Sequence, residues 1–234
     1  MNKATKAIIM AAGMGTRLSP LTDNMPKPVI KINGTPMIET MINGLHQNGI
    51  HEIYVVVGYL KEQLDYLPKK YPGLTLLQNP HYQTHNNISS LYIARNHLQN
   101  TILCDGDLVL KNPAILNPHF EFSGYCSTWT DLETNEWVQT LDADDFVSNC
   151  TVGGKAGWQV HPVSFWSKED GLKLKKHLEE LMDTHPQVFW DDIALFLRKD
   201  EYKLKVREIN SADVIEIDTY EEYLAHNAVQ VEND

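Results

Sequence analysis

The chain is short of positive charge. Lys and Arg number 20 against 31 Asp and Glu, a formal net charge of −11. That balance excludes a broad face for nucleic acid or for an anionic membrane. Any anionic ligand must be met by a few local cations or arrive with a metal ion. Cysteine is scarce as well: Cys104, Cys126 and Cys150 are the only three, and they are widely spaced. This excludes a disulfide framework and makes a zinc site improbable; the thiols read as reduced core residues. No apolar run approaches the ~18 residues of a membrane span, and no charged-then-apolar leader precedes the first apolar segment. A soluble, cytoplasmic protein without a membrane partner is expected. There is no internal repeat and no low-complexity tract. The ten histidines are scattered, with no Ser/His/Asp or Cys/His grouping that would signal a nucleophile and base.

What is present is enough apolar residue, 42% of 234, to fill a sizeable core. Residues 7–12, 52–57, 74–78 and 101–104 read as strands. Apolar positions at helical spacing, Met37, Ile38, Met41, Ile42 and Leu45, predict a helix over 36–48, with further helices over 61–66 and 89–98. Strand and helix thus alternate through the first half. That predicts right-handed crossovers and an α/β fold with a mainly parallel, Rossmann-like sheet flanked by helices. From Gly124 the pattern becomes antiparallel, with strands over 124–129, 136–141, 145–149 and 158–166. Helices over 168–183 and 191–198, strands over 204–209 and 214–217, and a helix from Asp218 to about Ala228 complete it. No linker breaks the chain. One domain over 1–234 is expected, in two halves, 1–110 and 111–234.

The first strand runs into Ala11-Ala12-Gly13-Met14-Gly15-Thr16-Arg17-Leu18, closed by Pro26-Lys27-Pro28. Two glycines allow a sharp turn and a close ligand approach, and successive N–H groups in such a turn make an anion-binding concavity. Arg17 adds a fork of donors suited to phosphate oxygens, and Lys27 a compact second cation. The natural occupant is a polyphosphate. Leu18 stands where a dinucleotide fingerprint needs its third glycine, and no Gly-Lys-Ser/Thr follows, so neither a Rossmann fingerprint nor a Walker A loop is present. An ordinary strand followed by a glycine turn is the competing explanation for Gly-x-Gly alone.

Two acids, Asp105 and Asp107, flank Gly106 after the fourth strand and could hold a hard cation or simply form a turn. Asp218, with Glu221, reads as a helix cap. The five tryptophans all lie late in the chain. Trp137 beside Glu136, and Trp190 beside Asp191 and Asp192, join indoles to carboxylates, a combination able to bind a quaternary ammonium. Core packing is the competing explanation, and it is strongest for Trp158.

The run Ala-Ala-Gly-x-Gly-x-Arg-Leu with Pro-Lys-Pro resembles the signature of nucleotidyltransferases that make nucleoside-diphosphate sugars and CDP-alcohols. Asn135-Glu136-Trp137, Lys155-Ala156-Gly157, Val163-Ser164-Phe165-Trp166, Trp190-Asp191, Gly58-Tyr59-Leu60-Lys61-Glu62-Gln63 and His85-Asn86-Asn87 narrow the likeness. They resemble bacterial CTP:phosphocholine cytidylyltransferases of the LicC type over almost the whole chain; a related group activates aminoalkylphosphonates. His161-Pro162 departs from the choline pattern. The resemblance implies transfer of CMP from CTP to phosphocholine, with Arg17 and Lys27 as catalytic residues and Mg²⁺ held by Asp107 and Asp218. It implies that 1–110 is the nucleotide-binding half and 111–234 the acceptor-binding half. It implies nucleotide contacts at Ala11, Ala12, Gly13, Gly15, Thr16, Gln78, Asn79, Asn86, Asn87, Ser89 and Asp105. Acceptor contacts are implied at Glu136, Trp137, Trp166, Trp190, Asp191 and Asp192. The partners are then CTP and a small cationic phosphate or phosphonate, with a homodimer as one option for the assembly. The rivals are activation of 2-aminoethylphosphonate or phosphoethanolamine, a sugar-1-phosphate nucleotidyltransferase, and a non-catalytic nucleotide-sensing domain.

Overall fold

The computed structural model describes residues 1–228. Its centre is a nine-stranded sheet. Four strands form the parallel half: β1 (Lys6–Ala11), β2 (Glu52–Val57), β3 (Leu74–Gln78) and β4 (Thr101–Asp105), in spatial order β4-β1-β2-β3. Ala7, Ile8 and Ile9 are wholly buried, as expected of a parallel strand covered on both faces. Each such isoleucine contributes about 1.5–3 kcal/mol by leaving water. The helix α1 (Met37–Gln47) covers one face with the predicted stripe Met37, Ile38, Met41, Ile42 and Leu45, each fully buried. The helix α2 (Ile88–Ile93) and the longer α3 (Lys168–Leu181) cover the other, through Leu91, Leu174 and Leu178. Ser167 caps α3 by accepting the Asp170 N–H at 3.1 Å.

The second half joins the same sheet. After β5 (Leu108–Leu110) come β6 (Gly124–Thr130), β7 (Thr134–Leu141), β8 (Val147–Gly154) and β9 (Gly157–Trp166). The second half of β9 pairs antiparallel with β4, Val163 opposite Cys104, and its first half with β7, Trp158 opposite Gln139. Its other edge is taken by β6. The short strands β10 (Arg207–Glu208) and β11 (Val214–Glu216) and the helix α4 (Tyr220–Ala228) end the described chain. Hydrogen bonding therefore runs unbroken from the parallel strands into the antiparallel part. Among the described residues no helix is long and apolar enough to cross a membrane.

Several elements differ from expectation. Residues 61–66 form a short 3-10 turn, Lys61–Leu64, and the 89–98 helix stops at Ile93 before another such turn. Residues 193–197 wind as a π-helix, with the Arg198 N–H bonded to Ile193 O at 2.8 Å. The 204–209 strand shrinks to Arg207–Glu208. At the last helix, the expected Asp218–Glu221 cap is displaced by one residue. Glu222 accepts the N–H groups of Asp218 and Thr219, and Thr219 Oγ1 accepts the Glu222 N–H. That is a capping box built on Thr219, and it leaves the Asp218 carboxylate to other partners.

Candidate active site

The glycine turn leaves β1 at the carboxyl end of the parallel strands, the edge where open α/β sheets bind ligands. Gly15 adopts φ +61°, a left-handed conformation. A Cβ there would also sit 3.0 Å from Lys27 Cβ and 3.1 Å from Thr22 Cγ2. Among the described residues, no N–H of residues 13–17 donates a hydrogen bond. Gly13, Gly15, Thr16 and Arg17 line a cavity of about 260 Å³ whose other walls include Ala11, Lys27, Asp107 and Asp218. Unpaired N–H groups around a concave site are a ready anion cradle.

Lys27 is the electrostatic centre. It is buried, and its Nζ lies 2.6 Å from Asp107 Oδ2 and 2.8 Å from Asp218 Oδ1. Burial alone would lower its pKa; the Asp107 charge above all, then the bonds to Asp218, overcome that and raise it. Arg17 Nη1 lies 2.9 Å from Asp218 Oδ2 while most of its side chain stays exposed. The two acids come from distant parts of the chain and meet because β11 pairs with β5, Glu216 opposite Leu108.

That pairing also delivers a third carboxylate, Glu216, beyond the two expected ligands. Asp107, Glu216 and Asp218 each offer an oxygen within 4.8 Å of the others. Glu216 is exposed at the rim of this cluster; desolvation by the surrounding protein, and then the charges of Asp107 and Asp218, push its pKa up. Asp107 Oδ1 is buried with no hydrogen-bond partner. A free buried oxygen inside a cluster of three carboxylates fits a hard divalent cation such as Mg²⁺, which takes oxygen ligands and relieves like-charge crowding. The signal for Glu216 was in Glu216-Ile217-Asp218: alternate residues of an extended segment point the same way. Asp105 lies beside this group, and burial, then Asp107, carries its pKa well above the carboxylate range.

The predicted base-reading residues divide. Gln78 is exposed at the end of β3, its Oε1 accepting from Lys61 Nζ. Asn79 and Ser89 are almost fully buried and bonded to each other at 2.9 Å. Asn86 donates to Gln187 O, and Asn87 Oδ1 accepts the Trp190 N–H. This corrects the expectation for Asn79 and Ser89: their polar atoms are spent on loop structure. Asn86 and Asn87 tie the loop before α2 to the 186–190 segment. Ala12 is buried outside the cavity wall, and its carbonyl accepts the Tyr59 N–H.

The acceptor residues divide too. Trp137 is half-buried and stands edge-on against Phe189 and Phe196, at 5.9 and 5.6 Å between ring centroids. Trp166 and Trp190 are core residues at 0% and 3% exposure. Trp166 donates from Nε1 to Ser164 Oγ, and Trp190 stacks on Tyr125. Neither offers a free face, so their expected ligand contacts are corrected to packing roles. Trp158, expected to be the surest core residue, is only half-buried and lies against exposed Trp129. Asp191 sits beside buried Tyr125; burial raises its pKa to about 8. Asp192 accepts the Phe189 N–H, and Glu136 is exposed.

The nucleotidyl transferase family model matches residues 6–111, and the chain belongs to the nucleotidyltransferase family of enzymes. It is 39% identical over 225 residues to the 2-aminoethylphosphonate cytidylyltransferase of Lancefieldella rimae, covering 94% of this chain and 91% of that protein. It is 37% identical over 223 residues to the choline-phosphate cytidylyltransferase of Streptococcus pneumoniae, with 93% and 95% covered. The solved structure of the CTP:phosphocholine cytidylyltransferase from Streptococcus pneumoniae superposes with a TM-score of 0.90 at 35% identity, covering 96% of this chain and 98% of that one. An inositol-1-phosphate CTP transferase from T. maritima, at 16% identity and a TM-score of 0.77, shares the fold.

Proposed function

We propose that this protein is a Mg²⁺-dependent cytidylyltransferase that joins CMP from CTP to a small ammonium-bearing phosphate, phosphocholine, releasing pyrophosphate. The observation that carries the reading is the Lys27 ion-pair network at the glycine turn, with Asp107, Asp218 and Arg17 converging on one cavity. An acceptor phosphate oxygen attacks the α-phosphorus of CTP; the bond from that phosphorus to the bridging oxygen breaks, and pyrophosphate leaves. The acceptor is already an oxyanion at neutral pH, so no general base is required.

Positioning and charge neutralisation supply the rate. The N–H groups of residues 13–17 and the Arg17 guanidinium receive the β- and γ-phosphates. Lys27 balances the charge that builds between the α-phosphate and the attacking oxygen. Asp107, Asp218 and Glu216 would hold Mg²⁺, which would supply further charge neutralisation at the phosphate oxygens. Trp137 and Phe189 offer apolar faces to the acceptor cation, with carboxylates nearby.

A second acceptor has its own support. With Trp166 and Trp190 buried, fewer aromatic walls remain for a quaternary ammonium. The carboxyl groups of Asp191, Asp192 and Glu136 could instead accept N–H bonds, which only a primary ammonium donates. That favours 2-aminoethylphosphonate or phosphoethanolamine. Pyrophosphate release measured with CTP and each of phosphocholine, 2-aminoethylphosphonate, phosphoethanolamine and glucose-1-phosphate decides among them. Preference for glucose-1-phosphate would overturn the cationic-acceptor reading; no release with any acceptor would overturn the enzymatic one.

A further inference from the structure

The segment Gly58-Tyr59-Leu60-Lys61-Glu62-Gln63 follows β2 and has no part in the scheme above. It nevertheless touches the phosphate-binding turn from behind. The Tyr59 N–H donates to Ala12 O at 3.1 Å, just before Gly13. The Tyr59 hydroxyl points to the next segment and is within reach of two carbonyls, Thr22 O at 2.9 Å and Asp23 O at 3.0 Å. Gln63 Nε2 donates to Asn24 O at 2.8 Å. Thr22 then passes the connection on: its Oγ1 donates to Gly15 O at 2.9 Å. Gly58 permits the approach, because a Cβ there would lie 2.8 Å from both Ala12 O and Tyr82 Cγ.

Residues 19–25 have few other anchors. Ser19, Pro20, Asp23, Asn24 and Met25 are exposed, and the stretch is ordered from within by a three-residue 3-10 turn, a Ser19 Oγ–Asp23 Oδ1 bond at 2.9 Å and the packing of Leu21. Yet this stretch backs the turn that lines the cavity. We propose that Tyr59 and Gln63 are positioning residues. They clamp residues 22–24 and, through Thr22 and the Gly15 carbonyl, keep the N–H groups of residues 13–17 aimed at a polyphosphate. The inference rests on the nucleotide-binding reading above and adds the residues that preorganise it.

Tyr59→Phe removes one hydroxyl and keeps the ring. Calorimetric titration with CTP and, separately, with inorganic pyrophosphate, both with Mg²⁺, tests the clamp. Loss of one such bond should weaken both ligands by about three- to tenfold. Gln63→Ala should weaken both in the same ratio, the KM for the acceptor should stay unchanged, and the melting temperature should fall by no more than about a few degrees. If CTP binding falls while pyrophosphate binding holds, Tyr59 reads the nucleoside and the clamp is wrong. Unchanged affinities in both variants also overturn it, as does a larger fall in melting temperature with acceptor and CTP weakened alike. A wild-type protein that binds neither CTP nor pyrophosphate would remove the nucleotide reading itself, a result distinct from any of these.

Discussion

Lys27 Nζ and Asp218 Oδ1 are 2.8 Å apart although 191 positions separate them in the chain. A buried ammonium between two carboxylates is structurally demanding, since removing it leaves two like charges facing each other. Lys27→Ala should therefore lower kcat by about 10²–10³-fold, with the far-ultraviolet circular dichroism of the wild type. A kcat near the wild-type value would remove the displacement scheme.

The three clustered carboxylates make a second prediction. Chelation by EDTA should stop pyrophosphate release, and added Mg²⁺ should restore it. Asp107→Asn, Asp218→Asn and Glu216→Gln should each weaken Mn²⁺ binding, followed by electron paramagnetic resonance, by about tenfold or more. Undiminished Mn²⁺ affinity in all three variants would place the ion elsewhere.

Trp137 and Trp166 should respond in opposite ways. Trp137→Ala should raise the KM for the cationic acceptor by about tenfold while that for CTP barely moves. Trp166→Ala should cost about 3–5 kcal/mol of stability as a core truncation. Its effects on the two KM values, measured well below its melting temperature, should be equal. Equal KM effects at Trp137 would give that residue a packing role as well.

Asp191 sets a pH dependence. Its carboxyl is raised to about 8 by burial, above its value in the unfolded chain. Such a group contributes stability that is present while it is protonated and is lost as pH rises through about 8. Asp191→Asn should therefore gain on the wild type between pH 5 and pH 9, by something on the order of 2 kcal/mol. Urea denaturation at both pH values measures it; a constant difference would show that Asp191 is ionised throughout.

The fold was legible where periodicity and burial agree. Lys6–Ala11 and the stripe Met37 to Leu45 declare themselves because a buried parallel strand and an amphipathic helix each impose a spacing. Lys27 could be named because a phosphate site in an acidic chain needs a few local cations, whereas Asp107 and Asp218, which alone read as a turn and a helix cap, were named through the resemblance to nucleotidyltransferases. Burial of individual aromatics was not legible. Trp158 and Trp166 lie on the same strand, and which is covered depends on α3, Tyr125 and Tyr202 packing over one end, a tertiary fact with no local signal. The asparagines misled for a related reason. An amide that can read a base can equally tie two loops, as Asn87 does with Trp190. Glu216 belongs to the motif Glu216-Ile217-Asp218, of which only Asp218 was taken as a ligand, because only the β5–β11 pairing turns the motif into a cluster.

That pairing has a temporal consequence for a chain made from its N-terminus. The glycine turn, Arg17, Lys27 and Asp107 are all synthesised within the first half, and the parallel strands can close around them. Until Val214–Glu216 docks on Leu108–Leu110, two of the three clustered carboxylates are missing. Under the proposed scheme, a nascent chain is thus furnished with its anion cradle long before it can retain a cation, and chemical competence arrives as one late step.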